Sequence, residues 1–332
     1  MPGRGLITVR AALSIAAVVI LGALFFLTRT PQTDTPQTGT PSGLAIAAPQ
    51  HPAVPATIRW LPERVIEGTL FRIIVDGGDP AVQSAAGTFA GQPLHFDMTG
   101  DGSLEALAAA PLDSTGAVQL RVQIRHVDGS RDEQVIPLPV AVGDYRLEEL
   151  TVAPQFGRPQ PPEIQERIAA EARRARAVSE ASHATPRLWE PPFVAPRTSR
   201  ITSGFGSGRI FNGQVQSRHT GTDFAGAVGA PVHAPARGVV AIVGDFYLGG
   251  GVVYIDHGAG LVTAYLHLSE QLVAEGDTVT IGQRIGSVGA TGRVTGPHLH
   301  WIVRYGGYSV DAMSLLELFS DTTSSVPSGT QR

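Results

Sequence analysis

The amino-acid sequence predicts a mainly β protein with two folded domains. Its 332 residues suffice for about two domains with cores of their own, plus accessory segments. Many short apolar runs are separated by turn residues, and 39 Gly and 25 Pro supply these turns. Two segments depart from this pattern, residues 11–27 and residues 160–184, and each is typical of a helix.

Residues 11–27 form an uncharged apolar run with two Arg before it and one Arg shortly after it. At about 1.5 Å per residue, a helix of this run spans roughly 26 Å, slightly less than a hydrocarbon core but more than most signal-peptide cores. The next Ala-x-Ala sequence, at 45–47, lies well beyond the run. We therefore predict that residues 1–28 are a retained signal anchor, with a cleaved signal peptide as the alternative. The Arg bias leaves the tail in the cytoplasm and the rest outside it.

The next two segments differ in their patterning. Residues 29–56 are rich in Thr, Pro, Gln and Ala without periodicity, which predicts an extended tether. Residues 57–152 alternate apolar and polar side chains in short runs such as 69–75 and 118–124, separated by Gly-Asp, Asp-Gly and Gly-Gly turns. This pattern predicts a small immunoglobulin-like β-sandwich. It contains no catalytic cluster, so binding or regulation is its expected role, with simple spacing as the alternative.

The composition changes again after the sandwich. Residues 160–184 are rich in Glu, Ala and Arg and begin at a Pro pair, which predicts a linker helix with one modest apolar stripe. A Pro-containing passage, 186–197, is expected to act as a flexible hinge into a C-terminal domain over 186–318. Residues 319–332 are rich in Ser and Thr and are expected to form a disordered tail.

Histidines mark the C-terminal domain. His298 and His300 lie two residues apart in a predicted strand, so their side chains share a face. An isolated pair of this kind is usually a surface feature of an ordinary strand. This pair is not isolated, because the same domain also contains His219, Asp223 and His267.

The segment from His219 to Asp223 is not expected to be helical. A spacing of four would place both side chains on one helix face, but Gly221 lies between them, flanked by two Thr, which favours a loop or irregular strand. The chain has no His-Glu-x-x-His motif, so the helix-borne Glu base of many zinc proteases is missing.

These segments together resemble the lysostaphin/LytM-type zinc metallopeptidases, which cut peptide cross-links in bacterial cell walls. The resemblance covers residues 186–318 and implies an antiparallel β-sheet peptidase domain. The principal motifs that carry it are Ser203-Gly204-Phe205-Gly206, His219-Thr220-Gly221-Thr222-Asp223, Ile255-Asp256-His257-Gly258, Tyr265-Leu266-His267-Leu268-Ser269, Gly289-Ala290-Thr291-Gly292 and His298-Leu299-His300-Trp301.

The resemblance implies a role for each of five side chains. His219, Asp223 and His300 match the ligands of one Zn²⁺ per chain, in a site that keeps a position open for water. His267 and His298 match two catalytic histidines that do not bind the metal. An imidazole with a pKa near 6.5 can take up a proton at neutral pH, and which of the two is the general base stays open.

Two further residues are weaker candidates for the substrate cleft. Asn212 matches a position near the family's cleft, but an Asn-Gly pair is equally typical of a turn. Tyr265 shares a face with His267 if both lie in one strand, although a packed strand aromatic is an equal alternative. His233 and His257 are expected to be structural.

The sequence therefore predicts a zinc-dependent endopeptidase that hydrolyses peptide cross-links of peptidoglycan, anchored in the inner membrane with its catalytic domain in the periplasm. The alternative is a catalytically inactive LytM-type domain that binds and activates a cell-wall amidase. Such domains usually lose metal ligands, whereas this chain keeps all three. A net charge of −4 predicts no nucleic-acid partner, and the absence of Cys excludes a cysteine nucleophile. We further hypothesise that the 57–150 domain, together with the helix after it, restrains the peptidase by covering its cleft.

Overall fold

Strands dominate the structure. The computed structural model describes residues 54–150, 160–211 and 214–320. The helices in it are α1 (Pro162–Ala181), a short 3-10 helix (Ser182–Ala184) and α2 (Ala312–Leu318). The strands in chain order are β1 (Val54–Leu61), β2 (Val65–Ile66), β3 (Leu70–Asp79), β4 (Val82–Phe89), β5 (Gln92–Leu94), β6 (Asp97–Met98), β7 (Leu104–Ala109), β8 (Gly116–His126), β9 (Arg131–Ala141), β10 (Leu147–Leu150), β11 (Ile201–Ser203), β12 (Gly208–Phe211), β13 (Gln214–Arg218), β14 (Thr222–Ala225), β15 (Pro231–His233), β16 (Gly238–Phe246), β17 (Gly250–Gly258), β18 (Leu261–Gln271), β19 (Thr278–Val279), β20 (Arg284–Val288), β21 (His298–Tyr305) and β22 (Tyr308–Val310).

Strands β1 to β9 form two sheets that share one apolar core. One sheet has the order β1-β3-β7-β6 and the other β2-β9-β8-β4-β5. Strand β8 shows the alternation that the sequence predicts, because Leu120, Val122 and Ile124 are buried while the residues between them are exposed. Phe71 and Phe89, one from each sheet, meet edge to face in this core. The two sheets therefore pack face to face.

The C-terminal half is built on a sheet of ten strands. Its main path runs β11-β14-β21-β18-β17-β16-β19, with every pairing antiparallel. Strands β17 and β18 are buried along most of their length. One face packs into a core that includes Trp301, and helix α1 covers the other face through Ala175. Burial on both faces explains why these strands are nearly continuous apolar runs.

The sandwich packs directly on this sheet. Leu70 of β3 belongs to the same apolar cluster as Trp189, and its backbone N–H donates to Oγ of Ser314 at 3.0 Å. The hydroxyl of Tyr308 donates to the backbone oxygen of Ala90 at 2.7 Å. The described residues accordingly belong to one compact unit.

Several segment boundaries differ from the sequence-based expectation. Residues 54–56 of the expected tether belong to β1, because β1 pairs with β3 from its first residue. Trp189 and Phe193 are buried, so their part of 186–197 packs against the core instead of forming a loose hinge. Phe319, at the start of the expected tail, packs on both of them.

The predictions for the two ends of the chain concern residues that the structure does not describe. The expected anchor, most of the tether and the tail from residue 321 lie outside the described residues. In the part of the chain that the structure describes, no helix combines the length and apolar character needed to cross a membrane.

Candidate metal centre

Strand register brings the predicted metal ligands together. Strands β14 and β21 are antiparallel neighbours, with Asp223 directly opposite His300 and Ala225 opposite His298. His219 lies just before β14, across a short turn that contains Gly221. The ligands thus come from two adjacent strands and a turn, and the segment from His219 to Asp223 is not helical, as predicted.

The three side chains are buried and point at one another. Nε2 of His219 lies 3.1 Å from Oδ1 of Asp223 and 3.0 Å from Nδ1 of His300. Nδ1 of His300 lies 2.6 Å from the same carboxylate oxygen. Within the described residues, these three form the single group whose ligand atoms all lie within 4.8 Å of one another and could hold a metal ion.

The hydrogen bonds of His219 show that this cluster suits a cation. The backbone oxygen of Gly204, 2.7 Å from Nδ1, can only accept, so Nδ1 carries the hydrogen and Nε2 keeps its lone pair. That lone pair faces a carboxylate oxygen of Asp223, and two lone pairs at this distance repel each other. Tetrahedral zinc bonds of about 2.0–2.2 Å separate ligand atoms by about 3.4 Å, and the ligand atoms lie 2.6–3.1 Å apart here, so a small outward shift of the side chains accommodates the ion. The residues therefore fit the metal.

Asp223 contributes the negative charge of the site. Burial by itself raises the pKa of its carboxyl, but His300 and His219 more than offset this effect and hold the pKa well below its usual value. The carboxylate is thus anionic at any physiological pH. One carboxylate and two imidazoles match the preference of a divalent zinc ion for nitrogen and oxygen ligands.

His298 and His267 lie beside the three ligands. Nδ1 of His298 donates to the backbone oxygen of Gly296 at 2.8 Å, and Nδ1 of His267 donates to that of Thr291 at 2.9 Å. Each imidazole therefore keeps the lone pair on Nε2. Nε2 of His298 lies 3.7 Å from Oδ1 of Asp223, and the rings of His298 and His267 are 4.9 Å apart. The structure brings together all five side chains to which the resemblance assigns a role.

Tyr265 does not line the cleft. It is fully buried, and its hydroxyl lies 2.9 Å from Oγ1 of Thr263. The reason is the backbone of His267, whose φ of 64° breaks the alternation of β18 and turns its imidazole out of the strand pattern. The two side chains consequently do not share a face. The alternative of a packed strand aromatic is the one that the structure has, while Asn212 lies outside the described residues.

His257 is a core residue. It is fully buried, with Nδ1 donating to the backbone oxygen of Arg237 at 2.8 Å and Nε2 at 2.8 Å from Oγ1 of Thr263. Both ring nitrogens are thus satisfied inside the protein, which agrees with the expected structural role.

An open cleft of about 790 Å³ leads to the five side chains. Besides them, its lining includes five charged residues that the sequence analysis did not single out, namely Glu148, Glu149, Arg200, Arg218 and Arg293. The two Glu lie on β10, far from the resembling motifs in the sequence, so no local pattern could have pointed to them. Their presence makes the lining of the cleft polar, with charges of both signs.

The family model for peptidase family M23 matches residues 217–312. The chain carries an M23 peptidase domain. This domain is 46% identical over 117 residues to the peptidoglycan DD-endopeptidase ShyA of Vibrio cholerae, and 43% identical over 117 residues to the DD-carboxypeptidase/endopeptidase Mpg of Neisseria meningitidis. Each match covers about a third of this chain, 34% and 35%, and 27% of the relative.

A solved structure matches beyond the M23 domain. A crystal structure from Pseudomonas aeruginosa assigned to peptidase M23 is similar over 77% of this chain and 96% of its own, with a TM-score of 0.59 and 26% identity. This coverage is too large for the M23 domain alone, so the likeness extends into the preceding sandwich and helix.

Proposed function

We propose that this protein is a zinc-dependent endopeptidase that hydrolyses D,D peptide cross-links of bacterial peptidoglycan. The observation that carries the proposal is the convergence of His219, Asp223 and His300 on one point beneath an open cleft, with two further histidines beside it. The similarity to peptidoglycan DD-endopeptidases supports the choice of substrate. One zinc ion per chain is proposed, because a single such group is found in the described residues.

Each residue of the site then has a distinct task. When bound, zinc supplies Lewis acidity, which lowers the pKa of a water toward about 7 and polarises a carbonyl. His298 and His267 each present an Nε2 lone pair, and we assign to His298 the uptake of a proton from the attacking water and its return to the leaving amine. Burial, with His300 and His298 nearby, lowers the pKa of His267 to about 3, which keeps it neutral and able to accept a hydrogen bond.

Nothing in the site favours the inactive alternative. A domain that only binds and activates an amidase has no need of three ligands that converge on one point and two more histidines in the tautomer that leaves Nε2 open. All five side chains are present and face the cleft region. The preserved geometry supports catalysis over binding alone.

A pair of variants tests this assignment. His300→Ala should lose both zinc and activity, because it removes a ligand. His298→Ala should keep most of its zinc and lose most turnover, by about 10²–10⁴-fold, which is typical for loss of a general acid or base. Zinc is measured by elemental analysis, and activity by mass spectrometry of muropeptides, in which cross-linked dimers become monomers. Equal zinc loss in both variants would mean that the roles are assigned incorrectly.

We also propose that the protein is held in the inner membrane by residues 1–28, with the M23 domain in the periplasm. The apolar run 11–27 and the Arg bias around it support this location, and a peptidoglycan substrate requires the M23 domain to lie outside the cytoplasm. Cell fractionation and sequencing of the mature amino terminus test the proposal. A soluble product that begins near residue 30 or 48 would favour a cleaved signal peptide.

A further inference from the structure

Strand β10 connects the sandwich to the M23 domain in an unexpected way. It pairs in parallel with β12, with Glu148 opposite Arg209, and extends the small sheet β10-β12-β13 beside the cleft. The pairing continues from the preceding residue, since the backbone N–H of Gly208 donates to the oxygen of Arg146 at 2.8 Å. A strand from outside residues 217–312 therefore borders the metal centre.

Glu148 on this strand contacts Ser203, which in turn contacts the predicted metal ligand His219. Oγ of Ser203 donates to Oε2 of Glu148 at 2.7 Å and lies 2.9 Å from Nδ1 of His219. Because the single hydroxyl hydrogen of Ser203 is used on the carboxylate, Oγ can only accept from the imidazole N–H. Ser203 and the backbone oxygen of Gly204 thus share the hydrogen on Nδ1.

The hydrogen bonds from Glu148 through Ser203 to His219 form a relay in which each group orients the next. The carboxylate orients the hydroxyl, the hydroxyl helps to hold the Nδ1–H tautomer of His219, and that tautomer leaves Nε2 free to bind a metal. His219 is only 1% exposed, so solvent offers its Nδ1 little alternative. Hydrogen bonds of this kind orient metal ligands and raise their basicity, and their loss typically costs about 10–100-fold in metal affinity.

We propose that Glu148 is a positioning residue of the metal centre, so that the strand after the sandwich completes the peptidase site. The inference rests on the metal site of the proposed function and adds a residue that lies outside the M23 domain. Glu149 is the natural comparison, because it lies on the same strand, lines the same cleft and carries the same charge. The contacts found for Ser203 involve Glu148 and not Glu149.

The test measures zinc affinity by competition with a chelator, using the full chain stripped of metal and checked for folding by circular dichroism. Glu148→Ala should weaken zinc binding by up to about 10-fold, the lower end of the range for a direct partner of a ligand, because the backbone oxygen of Gly204 still accepts from Nδ1 of His219. Glu148→Gln should restore most of the affinity, because its amide oxygen still accepts from Ser203. Glu149→Ala should bind zinc like the unmodified protein.

A double-mutant cycle with Ser203→Ala tests the relay itself. If Glu148 acts through Ser203, the double variant should bind zinc no more weakly than Ser203→Ala alone. Fully additive effects, or unchanged affinity in Glu148→Ala, would overturn the proposal. Faster digestion of sacculi by Glu148→Ala with unchanged zinc affinity would also overturn it, and would show that β10 covers the cleft.

The proposed function and this inference fail in different ways. An unmodified protein that binds zinc but leaves sacculi intact refutes the endopeptidase activity, whereas the effect of Glu148 on zinc affinity can still be measured. An unmodified protein that binds no zinc refutes both. Should Glu148→Ala not fold, comparison of Glu148→Gln with Ser203→Ala decides the question, and equal weakening in the two would contradict the expected rescue.

Discussion

Replacement of Gly221 by Ala should disable the metal centre through a close backbone approach. Gly221 lies in the turn between His219 and Asp223 and does not have the left-handed conformation that requires glycine. A Cβ at this position would lie 2.6 Å from the backbone oxygen of Trp301, 2.8 Å from Cε1 of His300 and 2.9 Å from its Nε2. The new methyl group would therefore press on β21 at a metal ligand.

The size of the effect follows from these distances. Ordinary contacts begin near about 3.5 Å, so the strand or the turn must give way by roughly 0.6–0.9 Å. Metal–ligand distances tolerate only about 0.2 Å. We expect zinc affinity to fall by about tenfold or more, as for other changes that misorient a ligand, together with an overpacking cost of about 1–3 kcal/mol in the free energy of unfolding.

The assay combines chelator competition for zinc, muropeptide release and thermal unfolding on one preparation. Gly100→Ala is the control, because a Cβ there has no neighbour within 4 Å and its backbone is not left-handed. It should leave zinc affinity and stability unchanged. If Gly221→Ala binds zinc and digests sacculi as well as the unmodified protein, the close-approach argument is refuted and the turn relaxes without moving His300.

Two further predictions concern stability. Burial lowers the pKa of His257 to about 4, against about 6.5 in an unfolded chain, so its contribution to stability is complete above pH 6.5 and is lost as pH falls toward 4. Over this range the free energy of unfolding should fall by up to about 3 kcal/mol more in the unmodified protein than in His257→Gln. Parallel pH profiles of the two proteins would contradict this. Leu70→Ala should lower the free energy of unfolding by about 2–5 kcal/mol, since Leu70 is 1% exposed in the core shared with Trp189. Calorimetry should show a single unfolding transition for the folded unit, and two separate transitions would contradict the shared core.

Local sequence patterns were sufficient to predict those features of the site that depend on residues close together in the chain. The His-x-His spacing predicted that His298 and His300 share one face of a strand, and both lie at the metal centre. The motif around His219 predicted an irregular segment that ends in Asp223. Alternation predicted the buried face of β8. Each of these inferences rests on the geometry of a single strand or turn, which the order of residues determines directly.

The same reasoning failed where one residue departs from the regular backbone. Tyr265 and His267 were expected to share a face, but the positive φ of His267 sends one side chain into the core and the other to the cleft. Nothing in the local sequence marks this bulge, because it is stabilised by contacts such as that between His267 and the backbone oxygen of Thr291.

The sequence by itself predicted the chemistry of the site: which side chains can bind a metal, which can move protons, and that they resemble those of lysostaphin/LytM-type peptidases. Only the tertiary structure decided how the M23 domain is completed. Glu148 meets Ser203 across 55 residues of chain, and Leu70 meets Ser314 across 244. The physical reason is that such contacts depend on the packing of whole sheets, in which strand pairing and shared apolar cores bring together residues whose own neighbours carry no sign of the partner.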